Sequence, residues 1–190
     1  MFAAEKDNSI ALAKKKLTCE DYDSMTPEEW GYELIDGEII QMTSPNILHQ
    51  RISRKLLFEL ESYNRKKMLG EFFEAPTDVK INEYNLVEPD ILFIANEQQS
   101  IIKENRIEGA PDLVVEILSP STGYYDLRKK YSIYESAGVK EYWIVDPNEK
   151  LVELYKNQET GFVLEQKLKE KGILKSNILI GIELDINVLW

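Results

Sequence analysis

Two carboxylates and a lysine that interrupt apolar stretches are the residues in this sequence whose types and spacing could do chemistry. The segment 111–120 reads as a strand rich in β-branched and apolar residues, closed at both ends by Pro111 and Pro120. With a side-chain period of two, Leu113, Val115 and Ile117 share one face; Asp112, Val114, Glu116 and Leu118 share the other. Both faces are largely apolar, the pattern of a central strand covered on both sides. Glu116 breaks it. A carboxylate among apolar neighbours is strongly disfavoured unless a cation or a donor meets it. From this strand alone a structural salt bridge explains Glu116 as well as a functional site does.

A second carboxylate shifts that balance. Segment 87–95 reads as another apolar strand, with Pro89 at a position that fits only a strand's start or edge. Asp90 lies on the face of Leu92 and Ile94, and taken alone it also reads as a turn-capping aspartate after proline. Two acids opening or interrupting neighbouring apolar strands suit hard divalent cations, which take oxygen ligands. The lysine lies on a helix expected over 126–137. Steps of about 100° per residue put Leu127, Lys130, Tyr134 and Ala137 in one arc, with Tyr131 at its edge. Lys130 therefore faces inward, whereas Lys129 points to solvent. An i,i+4 pair with Asp126 would contribute a few tenths of a kcal/mol and leaves the inward aim unexplained.

The elements that must position these groups follow from caps, turns and periodicity. Leu17 to Tyr22 opens a short helix with Thr18 at its N-cap, and Thr26-Pro27-Glu28-Glu29 is a second helix start. A hairpin is expected over 31–42, turning at Asp36-Gly37. Glu38 emerges just after that turn, where the plain reading is an exposed strand acid. Ser44-Pro45-Asn46 introduces a helix to about Tyr63 with Leu48, Ile52, Leu56, Leu60 and Tyr63 as its buried stripe. His49 falls inside that stripe. A histidine there is more often a hydrogen-bonded core residue, yet imidazole titrates near neutral pH and suits a metal-bound water or a phosphate. Glu59 borders the same stripe as a reserve acid. Further along, 70–82 reads as one strand, 96–109 as a loop with a helical turn, and 140–145 as an apolar strand. Segments 151–155 and 162–166 make a hairpin, and 178–184 a last strand.

In chain order, Pro89-Asp90, Glu116 on the following strand and then a lysine resemble the PD-(D/E)xK nuclease constellation. More specifically, the chain from about Leu17 onward resembles the Uma-type family of restriction-endonuclease-like proteins. The matching stretches are Tyr32-Glu33-Leu34-Ile35-Asp36-Gly37-Glu38-Ile39, His49, Glu88-Pro89-Asp90, residues 111–122, Asp126 with Lys130, and residues 138–147. Their order and spacing carry the match, not any one of them. The resemblance implies a restriction-endonuclease-like α/β fold, an α+β mixed sheet flanked by helices. It also implies Mg²⁺, or Mn²⁺ in its place, held by Asp90 and Glu116 for hydrolysis of DNA phosphodiester bonds. Lys130 would act on the attacking water or the phosphorane, and Glu38 would lie near the metal. One departure stands out: Leu118 occupies the position two after Glu116, where nucleases of the common type place their lysine. The resemblance then implies that the lysine has moved to the following helix, where Lys130 fits.

Composition bounds the rest. At 190 residues the chain is most simply one domain over 17–190 with an N-terminal extension over 1–16. A content of 43% hydrophobic and 30% charged residues is that of a soluble globular protein. Cys19 is single, which excludes an intramolecular disulfide and suits a reducing cytoplasm. No apolar run is long enough to span a bilayer, and none forms a signal core. The net charge of −11 argues against a generic nucleic-acid binder. Three basic clusters run against it: Arg51, Arg54 and Lys55; Arg65, Lys66 and Lys67; Arg128, Lys129 and Lys130. Each alone reads as solvated helix surface. The first and third, if brought together beside the acidic site, would make a DNA-facing surface. Cutting both strands needs two active centres, so a homodimer is expected. Tyr142 and Trp143 are either its interface or core. Two other functions remain open, a non-catalytic scaffold and a metal-dependent hydrolase of small phosphates. No phosphate-cradling glycine loop, zinc spacing or serine elbow is present.

Overall fold

Proline, glycine and hydrophobic period divide the chain into three helices and thirteen strands over the residues that the computed structural model describes, 15–25, 31–119 and 124–190. The first half holds α1 (Cys19–Ser24), β1 (Tyr32–Ile35), β2 (Glu38–Gln41), α2 (Ile47–Lys67), β3 (Gly70–Glu74), β4 (Val79–Asn82), β5 (Asn85–Val87) and β6 (Ile91–Ala95). The second holds β7 (Ile107–Glu108), β8 (Leu113–Ile117), α3 (Tyr124–Ala137), β9 (Glu141–Asp146), β10 (Leu151–Gln158), β11 (Gly161–Lys169), β12 (Ile173–Leu174) and β13 (Leu184–Asp185). Short 3₁₀ turns cover Asn96–Ile101 and Ile186–Leu189.

A mixed sheet in the order β11-β10-β9-β8-β6-β3 is the middle layer. In it β8 pairs parallel with β9 and antiparallel with β6. Parallel neighbours need a crossover, and α3 supplies it. Every residue of β8 is buried, as a strand apolar on both faces must be. On one side α2 lays Ile52, Leu56 and Leu60 against Phe93, Leu113, Val115 and Trp143. On the other, α3 and a second sheet, β2-β1-β5-β4-β7, enclose Ile35, Val87, Leu92, Val114, Tyr134 and Tyr142. The expected α+β arrangement, a mixed sheet flanked by helices, is the observed one. Fully burying a Val, Leu or Phe contributes roughly 1.5–3 kcal/mol, so these two faces carry most of the fold. Tyr142 and Trp143 are wholly buried and serve the core.

Local signals place most elements. Thr18 and Asp21 form a capping box at α1. Asp36 and Gly37 take φ of 53° and 79°, the turn that joins β1 to β2. A Cβ on Gly37 would lie 2.6 Å from Lys16 Cβ, so glycine is required there twice over.

Several boundaries differ from the sequence reading. Segment 87–95 is not one strand: β5 ends at Val87, β6 begins at Ile91, and Glu88-Pro89-Asp90 carries the chain from one sheet to the other. Pro89 has no N–H to give a ladder, so the crossing falls there. Segment 70–82 likewise splits into β3 and β4, in different sheets, around Pro76. Leu48 is exposed, because an i+4 series drifts by about 40° per step and carries its first member off the buried stripe. Of the strand expected over 178–184 only Leu184 is in one, as the first residue of β13; residues 177–181 form turns around Gly181. The expected helix start at Thr26, residues 1–14 of the extension and the Asp126 side chain lie outside the described residues. Among those described, no helix is long and apolar enough to cross a membrane.

Candidate active site

Where α2 begins, and where the two sheets and α3 meet, a cavity of about 320 Å³ is lined by Glu33, His49, Glu88, Asp90, Glu116 and Lys130 among others. Asp90 stands at the crossing between β5 and β6. Its Oδ2 accepts a hydrogen bond from the Ile117 backbone N–H at 2.7 Å and lies 3.1 Å from His49 Nε2. Ile117 directly follows Glu116, so this bond fixes Asp90 beside the second carboxylate. Tertiary pairing across β6 and β8 thus does what no local motif could.

Glu116 and Lys130 are each 9% exposed. Glu116 Oε1 accepts from Lys130 Nζ at 3.1 Å and from the Tyr134 hydroxyl at 2.8 Å. Lys130 and Tyr134 are four residues apart on α3 and so share a helix face. On its other side Lys130 Nζ lies 2.7 Å from Glu33 Oε1, which also accepts from the Glu88 backbone N–H at 2.8 Å. One buried ammonium is therefore shared by carboxylates from β1 and β8. It ties the five-stranded sheet to the six-stranded one.

Burial dominates the electrostatics. It pushes the Glu116 carboxyl up to about 7, with Asp90 and Glu33 adding to the rise and Lys130 opposing it. Burial also lifts Glu88 to about 7, helped by Asp78 and Glu33 and opposed by Lys130. For Lys130 burial acts downward, but Glu116 and Glu33 outweigh it and hold the amine well above its ordinary value. For His49 too burial acts downward, and the hydrogen bond and charge of Asp90 prevail, so its pKa is raised. A protonated lysine faces several carboxylates here. The pocket as a whole favours a cation.

Four of the five candidate residues, Asp90, Glu116, Lys130 and His49, line one cavity. Glu38 does not. Its side chain is 60% exposed and lies 3.8 Å from Lys129 at the hairpin tip. The hairpin register explains this: Glu38 faces Ile35 and Glu33 faces Ile40, so both acids share a face. Glu33 sits two residues deeper, where the cavity is. Glu59 lies further along α2, beside Arg54, Lys55 and Phe58, outside the cavity. Sequence reasoning passed over Glu33, Glu88 and Tyr134 as site residues. The signal for Glu33 was its period-two spacing from the apolar Ile35, which places it on a covered face once both sides of β1 are known to be packed. Lys130 is not part of a surface cluster with Arg128 and Lys129; it is the buried centre of this site.

The donor chemistry fits a hard divalent cation. Asp90 and Glu116 supply carboxylate oxygens on one pocket, and Mg²⁺ typically binds through one or two carboxylates and keeps several waters. Among the described residues no three His, Cys, Asp or Glu side chains form a fuller ligand cluster.

Comparison with known proteins agrees with this architecture. The model of a family described as "Uma2: Putative restriction endonuclease" matches residues 19–187. The uncharacterized protein slr1290 of Synechocystis sp. is 27% identical over 188 residues, covering 89% of this chain and 93% of its own length. A crystal structure described as a putative nuclease of the DUF820 group, from Anabaena variabilis, superposes with a TM-score of 0.75. It is 20% identical and covers 91% of this chain and 97% of that one, a likeness of fold.

Proposed function

The chain belongs to the Uma2 family of restriction-endonuclease-like proteins, and from that premise we propose that the cavity is the active site of a divalent-metal-dependent DNA endonuclease. The observation that carries this reading is the meeting of Asp90 from the β5–β6 crossing, Glu116 from β8 and Lys130 from α3 on one open cavity. Asp90 and Glu116 would hold Mg²⁺ or Mn²⁺, which when bound lowers the pKa of water and offsets negative charge on the scissile phosphate. Lys130 stays protonated, since Glu116 and Glu33 hold its pKa well above the ordinary lysine value. It therefore acts as a fixed cation toward the charge that develops on the phosphoryl group, and not as a base. Glu33 positions that ammonium. Glu88, with a pKa of about 7, is suited to take a proton near neutral pH. His49 keeps Asp90 Oδ2 occupied, leaving the other oxygen of Asp90 to face a ligand.

The test is cleavage of single-stranded, duplex and plasmid DNA by purified protein with Mg²⁺, Mn²⁺ or EDTA. Cleavage should require the metal and fall by roughly 10²–10⁴ in Asp90→Asn, Glu116→Gln and Lys130→Met. Undiminished cutting by these variants removes the mechanism.

A further inference from the structure

The outer face of α2 carries a charge that the rest of the chain does not. Six cations, Arg51, Arg54, Lys55, Arg65, Lys66 and Lys67, stand on this helix against two acids, Glu59 and Glu61, while the whole chain is at −11. Elsewhere Arg106, Lys140, Lys167, Lys169 and Lys175 are each tied to a carboxylate, while Lys80, Lys103, Lys150, Lys156 and Lys171, which form no ion pair among the described residues, stand singly along the sequence and not in a cluster. Of the α2 cations, Lys55 reaches the Leu189 and Trp190 carbonyls. The other five form no ion pair with any described residue.

Helix-end electrostatics accounts for part of this. Arg65, Lys66 and Lys67 occupy the last turn, where cations complement the helix dipole. Arg51 and Arg54 lie in the first half, where it gives them nothing. At about 100° per residue, Arg51, Arg54, Phe58 and Arg65 fall within roughly 60° of one another, a stripe about 21 Å long. Phe58 is 67% exposed in the middle of that stripe, flanked by Arg54 and Lys55. At its N-terminal end the stripe adjoins Gln50, one turn before Arg54 and about 40° from it, which lines the candidate active site, while His49 reaches the same cavity from the buried face of the helix.

Unpaired cations in a row with an exposed aromatic ring between them match the chemistry of an unpaired nucleic-acid strand, whose phosphates meet the cations while a base stacks on the ring. We propose that α2 is the docking surface for a single-stranded segment of the DNA substrate. Arg51, Arg54 and Arg65 track the backbone, and Phe58 stacks a base on the path to the cavity. The charge of the chain as a whole then keeps nucleic acid off its other faces. This inference rests on the nuclease reading for its direction, but binding reads it out without catalysis.

The experiment is fluorescence anisotropy of the full chain in EDTA, with a labelled oligothymidylate and a duplex of the same length, over a range of salt. Arg51→Glu/Arg54→Glu should weaken the single strand and flatten the plot of log affinity against log salt by about 0.7 for each phosphate that is no longer neutralised. Phe58→Ala should weaken the single strand by about tenfold or more and leave the duplex unchanged. All of these side chains are exposed, so the variants keep the parent's circular dichroism melt. Parent-like binding by both variants overturns the proposal while leaving metal-dependent cleavage standing. Conversion of a dimer to a monomer by Phe58→Ala, with DNA affinity unchanged, overturns it in favour of a contact between copies. Failure of the parent to bind or cut any DNA overturns both readings together.

Discussion

Replacing Glu116 by Gln separates a functional carboxylate from a structural salt bridge, because the two explanations differ in sign. The folded chain holds the Glu116 carboxyl at about 7, against 4.5 for the free group, with burial as the main cause. Between those values the folded state binds more proton than the unfolded one, so this group's contribution to stability falls as pH rises through the window and levels off above it. A difference of about 2.5 in pKa corresponds to about 3 kcal/mol when the group is fully ionised. Glutamine never ionises, and its amide oxygen can still accept from Lys130 and Tyr134. Glu116→Gln should therefore be more stable than the parent by about 1 kcal/mol at pH 5.5, widening to about 3 kcal/mol at pH 8.5. For a chain of this length that is a rise in Tm of roughly 5–10 °C at the higher pH. The assay is urea unfolding in EDTA, followed by tryptophan fluorescence at both pH values, beside DNA cleavage by the same preparations. A variant less stable than the parent at pH 8.5 refutes the reasoning: attraction to Lys130 would then exceed the desolvation of Glu116, as a structural pair requires. A gain in stability with loss of cleavage is the signature of a carboxylate kept for a ligand.

Other perturbations follow from the same geometry. Lys130→Met leaves Glu33 and Glu116 buried without their shared cation, so it should lose cleavage and destabilise the fold by about 3–5 kcal/mol at pH 8. Adding Glu33→Gln should recover part of that stability, and an unchanged or worsened double variant counts against the shared ion pair. For His49 the folded pKa is raised, so its pairing with Asp90 stabilises fully below the unfolded value near 6.5 and is lost as pH rises through the folded one. The stability gap between parent and His49→Gln should accordingly be widest at pH 6 and narrow by pH 8.5; a gap independent of pH contradicts this. Glu38→Ala should cut DNA like the parent, whereas Glu33→Gln should lose about tenfold or more, as groups that position a reacting side chain do. The reverse order would restore the hairpin-tip acid to the site.

Much of the fold was legible because the signals are local or strictly periodic. Asp36-Gly37 could only be a tight turn, Thr18 announced a cap, and the alternation through 113–118 assigned both faces of β8 before any packing was known. What misled was length in the absence of pairing information. An apolar run such as 87–95 does not say that its two halves belong to different sheets, and Pro89 alone marks the crossing. The site followed the same division. Glu116 and Lys130 stood out because charge is costly on an apolar strand and on an inward helix face. Glu33 sits on a strand whose covered face is invisible until β1 is stacked against α3, so the more conspicuous Glu38, next to the turn, took its place. Asp90 was found by its proline, but its bond to the Ile117 N–H depends on β6 pairing with β8, which sequence spacing does not encode.

Whether Asp90 and Glu116 hold a metal between them is decided by a crystal grown with Mn²⁺ and measured for anomalous scattering. The expected result is a peak bound by carboxylate oxygens of both residues, close to the Lys130 ammonium and absent in Glu116→Gln. A peak at other residues, or none in the cavity of a crystal whose Mn²⁺ is bound elsewhere, would contradict it.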